Sequence, residues 1–367
     1  MIDTDVLIVG AGPAGAVAAL NLASMHRVLL VDRLAKPAVR IGESLPPAAR
    51  RLLTDMGLWE DFLRQGHAPC YGNHSLWNGV SGDHDFLRDP DGHGWHLDRA
   101  QFEGWLREHA VKRGAALMAS TTLASATATG DGWKVMLDTA TGRAEVHAKV
   151  LIDASGRSAT LGRQLGAARQ HHDQLVCMWL AGHDSQRVVD SRSRIEAVEN
   201  GWWYTASLPG QRRVLAFHSD SDLPMARALR SPAALMQAAM ATKEIAAQLS
   251  ASGFVPDSEI ATTAAHSATL QPATGDRWCA VGDAAMSFDP LSSQGLFNAM
   301  YTGLSAALAC DRRLSGEVVA FDDYADELRR IETAYLQLLE FWYGQEMRWP
   351  DAAFWQRRHA SLLEAVN

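Results

Sequence analysis

Asp5-Val6-Leu7-Ile8-Val9-Gly10-Ala11-Gly12-Pro13-Ala14-Gly15 is the stretch on which the fold turns. Residues 6–9 are apolar without alternation, as a strand covered on both faces must be. They run into Gly-x-Gly-x-x-Gly at the mouth of an Ala-rich segment, residues 13–24, that reads as a helix. At that spacing each glycine has a physical task. Gly10 permits the tight turn, Gly12 lets the backbone approach a pyrophosphate, and Gly15 lets helix and strand pack closely. Pro13 and Ala14 stand where unpaired N–H groups and the positive helix end would meet that anion. A second buried strand, Arg27-Val28-Leu29-Leu30-Val31, ends at Asp32, placed to accept hydrogen bonds from a ribose, with Arg33 directly after it. The unit is a dinucleotide site. Alone it does not separate FAD from NAD.

The 367-residue chain exceeds the usual size of one domain, and its hydrophobic fraction of 47% allows a full core. The net charge of −8 implies no basic face for nucleic acid. The first five residues carry no basic region ahead of the apolar run, which argues against a secretory signal. No apolar run reaches the ~20 residues of a membrane span, residues 295–310 being interrupted by Asn298, Tyr301, Thr302 and Ser305. Cys70, Cys177, Cys279 and Cys310 lie far apart, which suits reduced core thiols and a cytoplasmic location. The histidines, including His93, His96, His171 and His172, form no helical metal motif.

Helical patterns recur at residues 46–58, 99–112, 232–249, 295–310 and through most of 321–365, where Pro350 breaks them. Between residues 115 and 153, and again from 175 to 219, the chain reads as strands, among them Trp133-Lys134-Val135-Met136-Leu137 and Arg213-Val214-Leu215-Ala216-Phe217. Trp278-Cys279-Ala280-Val281 is a last short strand.

Three later segments choose the dinucleotide by resemblance. Trp95-His96-Leu97-Asp98-Arg99-Ala100-Gln101-Phe102 resembles the strand–helix junction of FAD-dependent aromatic hydroxylases, which implies that Arg99 reaches the FAD phosphates or ribityl chain; pairing with Asp98 is the alternative. Val150 to Ser158, ending Asp153-Ala154-Ser155-Gly156-Arg157-Ser158, is similar to the supporting turn of that superfamily. Within Trp278 to Ala285 the strand runs into Gly282-Asp283, where the resemblance puts a carboxylate against ribityl hydroxyls. After it, Asp289-Pro290-Leu291-Ser292-Ser293-Gln294-Gly295-Leu296 is a turn opening a helix. Its backbone N–H groups would hold the flavin N1–C2=O edge and stabilise the reduced anion. The implied fold is α/β: a Rossmann-like FAD-binding domain of the glutathione reductase type (residues 1–65, 95–165 and 270–315), an inserted β-sheet substrate domain (66–94 and 166–269), and C-terminal helices (316–367).

Arg40-Ile41-Gly42-Glu43-Ser44-Leu45-Pro46-Pro47 resembles the flavin-dependent halogenase branch, whose loop runs along the isoalloxazine with Glu43 or Ser44 near the ring; Ser44 as a helix cap is the alternative. Two departures argue against halogenation. Tryptophan halogenases carry a lysine a few tens of residues beyond this motif, and here none lies between Lys36 and Lys112. Their WxWxIP signature aligns on Leu208-Pro209 with Tyr204 and Ala206 at the two tryptophan positions. The whole chain, including Gly201-Trp202-Trp203-Tyr204 and the tail 347–359, is similar to flavoproteins encoded beside quinoprotein amine and amino-acid oxidases, which hydroxylate a tryptophan of a partner protein towards cysteine tryptophylquinone.

That resemblance implies a monooxygenase in which reduced FAD and dioxygen form a C4a-hydroperoxyflavin that oxygenates an aromatic carbon, water being excluded. Residues 43–45 and 290–293 would line the flavin face. Trp202, Trp203 and Tyr204 would stack on the target ring, unless the two tryptophans are core. Asp289 and Glu43 are the acid/base candidates, Asp289 being equally readable as a turn residue. With no second Gly-x-Gly-x-x-Gly, electrons come from transient NAD(P)H or from a separate flavin reductase. The other readings are hydroxylation of a small aromatic metabolite and a flavin-containing chaperone without chemistry. Oligomeric state stays open.

Overall fold

The apolar run at residues 6–9 lies in the middle of a parallel sheet. In the computed structural model, which describes residues 1–187 and 190–364, strand Ile2–Val9 has Val28–Val31 on one side and Gly142–Asp153 on the other. Ala116–Met118 and Trp278–Ala280 continue the sheet on the two sides, all parallel. Ile8 pairs with both Leu30 and Ile152, and all three are buried. Burial on this scale is worth about 2 kcal/mol per large aliphatic side chain. The long strand Gly142–Asp153 also pairs antiparallel with Trp133–Thr139, which carries Thr122–Ala128.

Helix Pro13–Leu22 packs on this sheet and on helix Gly295–Leu314 through small residues. A Cβ on Gly15 would lie 1.9 Å from the Gly10 carbonyl oxygen, and one on Gly303 would lie 2.4 Å from the Ala14 oxygen. Contacts that close exclude any side chain, so the first strand, the helix that follows it and a helix far along the chain meet backbone to backbone.

The second large sheet is mostly antiparallel. Leu175–Asp184, Arg212–Asp220, Gly201–Leu208 and Ser193–Val198 follow in that order, then Gly72–Trp77 and Val80–Asp85, while Phe254–Pro256 and Ala261–Ala264 pair with the other edge of Leu175–Asp184. Its outer face is covered by Pro224–Ala228, Pro232–Ala239 and Glu244–Ser252. Residues 232–249, which read as one helix, are therefore two. The second begins where the Glu196 carboxylate accepts the Lys243, Glu244 and Ile245 backbone N–H groups at 2.8–3.0 Å. Three donors that would have joined a continuous helix are satisfied from the sheet instead.

Other boundaries also moved. After Pro46-Pro47 the helix starts only at Ala49 and ends at Asp55, with Trp59–Leu63 following. Residues 68–70, expected in the substrate sheet, pair instead with Gly94–His96 and, through it, Ser44–Leu45. Ala168–His171 and Ala268–Gln271, at the ends of the expected substrate domain, form a small sheet of their own with Met286–Ser287. The C-terminal region is helix Ala320–Gly344, a break containing Pro350, and helix Ala353–Glu364. Residues 188–189 of the expected substrate domain and the tail 365–367 lie outside the described residues. Among those described, no helix is long and apolar enough to cross a membrane.

Candidate active site

The end of the first strand is a cradle made of backbone. Gly10 has φ +109°, and a Cβ there would strike the Ala154 carbonyl at 2.2 Å. Gly12 differs in kind: its φ is an ordinary −70°, and a Cβ would meet nothing within 4 Å. The space in front of it adjoins the first turn of helix Pro13–Leu22, which has no side-chain cap and no acidic residue. Gly295 opens its own helix in the same way, without a cap or an acid and with open space before it. Leu296, behind it, is buried.

Helix Arg99–Lys112 presents Arg99, Glu103 and Arg107 at four-residue spacing, hence along one face. Arg107 donates to the Ala11 oxygen at 2.7 Å and to Asp32 at 3.1 Å. Asp32 also accepts the Ala11 and Leu34 N–H groups, both at 2.7 Å, so one acceptor position remains for a ribose hydroxyl. At the other end Arg99 donates to the Ile41 and Gly42 oxygens and, at 2.6 Å, to Glu103. Its partner is thus Glu103, while Asp98 caps the helix by accepting the Gln101 N–H. Arg40 is half exposed and 3.6 Å from Glu103, and Arg33 is exposed. Arg99 Nε, Glu103 Oε2 and Arg107 Nη1 are buried with no hydrogen-bond partner. Unpaired polar atoms along one helix face, together with two uncapped helix ends, fit the polyanionic and hydroxylated half of FAD. Asp283 fits likewise: its carboxylate is partly exposed and 3.6 Å from Arg157, which also donates to the His266 and Phe288 oxygens. The Asp153 carboxylate is turned into the fold, accepting the Ser155 and Gly162 N–H groups.

The turn expected to face the flavin is strained and anchored. Pro290–Ser292 is one 3-10 turn, and Ser293 follows with φ +52°. Asp289 does not point out of this turn. It is buried, with Oδ1 accepting the Leu291 N–H and Oδ2 accepting the Tyr343 hydroxyl at 2.7 Å, while its own N–H donates to Tyr335. Burial, with the Asp173 charge adding to it, pushes its carboxyl up to about 7. Asp289 therefore acts on the turn from behind rather than on a substrate.

Glu43, the other expected acid/base group, is buried as well. Its Oε2 accepts the Gly42 N–H, and its buried Oε1 lies by the Tyr204 hydroxyl, with no hydrogen bond of ordinary geometry satisfying either atom. Burial, and next the Glu43 charge, raise the Tyr204 phenol well above its usual value. Ser44 pairs with His96 in the small sheet and does not cap a helix.

Trp202 and Trp203, expected to stack on a substrate, are core residues on opposite faces of the sheet. Trp203 packs with Met178, Leu215 and Phe217 under the outer helices. Trp202 lies flat on His218 at 3.6 Å between ring centroids and donates to the Tyr343 hydroxyl at 3.0 Å. A strand alternates its side chains, so adjacent tryptophans could not both face the flavin. The apolar inner face is completed by Ile41 and Leu291, from the two flavin loops, and by Trp179 and Tyr204 from the sheet. Tyr343, Tyr335, Glu103 and Arg107 escaped the sequence reading. The four-residue spacing from Arg99 was the one signal available for the helix pair, and the tyrosines, deep in a long amphipathic helix, carry none.

The sequence model described as FAD binding domain matches residues 3–338. A putative FAD-dependent oxidoreductase, LodB of Marinomonas mediterranea, is 32% identical over 361 residues, covering 97% of each chain. The tryptophan 2-halogenase of Chondromyces crocatus is 25% identical, covering 86% of this chain and 62% of its own. Among solved structures, the myxobacterial chondrochloren halogenase CndH superposes with a TM-score of 0.88 at 24% identity, over 100% of this chain and 89% of its own. The peptidyl tryptophan dihydroxylase QhpG does so at 0.73 and 23%, over 97% and 79%.

Proposed function

The chain belongs to the FAD binding domain family as a flavin-dependent oxidoreductase, and from that premise we propose that it is a monooxygenase hydroxylating an aromatic ring, foremost a tryptophan side chain of a partner protein. The observation that carries this reading over halogenation is the stretch after the Glu43 loop. From residue 37 to 111 it holds no lysine, so no amine stands there to capture hypohalous acid. The likeness to a protein named as a peptidyl tryptophan dihydroxylase supports the choice of ring, though only through the fold. Halogenation is the second reading, favoured by the named halogenases among the relatives.

FAD, bound and reduced, supplies the electrons that split dioxygen, one oxygen atom going to the ring and the other to water. The chain supplies the rest. Ile41, Leu291, Trp179 and Tyr204 gather on the inner face of the sheet, an apolar surface that would exclude water from an aromatic ring bound against it. Glu43 Oε1 is the acceptor for the proton that leaves the oxygenated ring carbon. The uncapped N-terminus at Gly295 would favour negative charge on a flavin edge held against it.

The test is to supply the FAD-loaded protein with a reductant, dioxygen, and either an unmodified quinoprotein oxidase subunit or small phenols and indoles. A mass gain of one or two oxygen atoms on a tryptophan of the subunit is expected. Halide incorporation, or oxygenation of small substrates alone, would overturn the protein-substrate reading.

A further inference from the structure

Outside its own turn, Asp289 makes both of its side-chain partnered hydrogen bonds with one helix. Tyr343 donates to its carboxylate, Tyr335 accepts its N–H, and both belong to Ala320–Gly344. Tyr343 is also where two other elements converge. Trp202 of the substrate sheet donates to its hydroxyl oxygen. Arg358 of the last helix lies 4.9 Å over its ring and is paired with Asp220 of the same sheet. Phe354 and Trp355 pack on its edges. The turn it reaches through Asp289 includes a non-glycine residue in the left-handed region, which persists only when its surroundings impose it.

We propose that Tyr343 is a positioning residue for the flavin chemistry: its hydroxyl, aligned by Trp202 and bonded to Asp289, sets the charge and shape of the turn at residues 290–295. The inference rests on the reading of that turn as flavin-facing and is independent of the substrate. Trp202 donating into the phenol oxygen polarises its O–H and strengthens the bond to an ionised Asp289. The groups facing the Asp289 carboxylate are Asp173, which opposes ionisation, and Arg358, Tyr343 and the Leu291 N–H, which favour it. With burial dominant, the balance leaves the group titrating at about 7. Deleting the hydroxyl removes one stabiliser of the charged form, so the midpoint must rise.

The experiment uses Tyr343→Phe, Trp202→Phe and Asp289→Asn. The visible spectrum of bound oxidised FAD is titrated from acid to mildly alkaline pH, and the thermal stability of the FAD-free protein is followed over the same range. The wild type should show a flavin spectral transition near neutrality. Tyr343→Phe should move it up by about one to two pH units, Trp202→Phe by less, and Asp289→Asn should abolish it. In the FAD-free protein the sign is fixed by the raised folded value. The folded state holds the Asp289 proton longer than the unfolded state, so stability falls as pH rises towards neutrality and levels off above it. Tyr343→Phe should carry that fall to higher pH. An unchanged midpoint in Tyr343→Phe with FAD bound, or a wild type without a transition, overturns the proposal. Trp202→Phe decides the matter if Tyr343→Phe does not fold. Failure of the wild type to bind FAD would overturn the flavin-site reading instead, and the stability profile would still test the Tyr343–Asp289 bond.

Discussion

The two sheets insulate their interiors in opposite ways. The parallel sheet is apolar throughout its middle, and its binding groups are backbone N–H groups and bare glycine surfaces at the strand ends. The antiparallel sheet buries polar side chains in its interior and at its border: Arg213 paired with Asp184 at 2.8 Å, His218 under Trp202, and Ser193 bonded at 2.8 Å to His96 of the adjoining small sheet. The first sheet is specified by what is absent at a few positions. The second is specified by partners that must find each other across the fold. One tolerates no added atom, the other no missing one.

Two glycines test the first half of that contrast. Gly15→Val should collapse the cradle, because its Cβ overlaps the Gly10 oxygen; loss of several kcal/mol is expected by thermal or urea unfolding. Gly12→Val should unfold at nearly the wild-type temperature yet lose FAD affinity by about 100-fold or more, read by fluorescence titration, because only the ligand's space is filled. Equal stability losses in the two variants would break the distinction between a packing glycine and a binding one.

For the other sheet, Arg213→Met strands the buried Asp184 carboxylate and should cost about 3–5 kcal/mol in urea unfolding. Arg213→Met with Asp184→Leu should recover most of that, since a matched apolar pair leaves no charge unpaired. Acid should act in the same place. Burial holds His218 down to about 3 and His96 to about 4, both below the ordinary 6.5. The unfolded chain binds protons that the folded one refuses, so stability present at neutral pH declines as pH falls from 6.5 towards those values. Each histidine contributes up to about 1.4 kcal/mol per pH unit. Hydrogen exchange at pH 5 should then show Gly201–Leu208 losing protection ahead of Ile2–Val9. The smallest effect belongs to Trp203→Phe: about 1–3 kcal/mol of stability and no change in KM, since the ring lies on the sheet's outer face. A raised KM would return Trp203 to the substrate.

The same contrast explains what could be read in advance. Gly10, Gly12 and Gly15 announce themselves because a backbone site is local and each glycine has a stereochemical reason. Helix Arg99–Lys112 was legible to the residue because Asp98 caps it and its contacts are periodic. Trp202 and Trp203 misled because composition says that aromatic rings bind rings, whereas strand alternation sends one of them to each face. Asp289 was found but its direction was not. That direction depends on Tyr343, 54 residues away in sequence, and nothing near Asp289 encodes it.

The close approach of Gly303 to Ala14 has one further consequence. It fixes the uncapped end of one helix relative to the uncapped end of the other, since Gly295 lies eight residues before Gly303, about 12 Å along the axis. The two helix ends therefore stand as positive poles at a fixed separation, while Glu196 closes the corresponding pole of helix Glu244–Ser252 against any such use. A ligand carrying negative charge at a single point can engage one pole. A long ligand anionic at both ends engages the second pole at a high effective concentration once the first is held. Selection by length then follows from two backbone contacts too short to admit a methyl group.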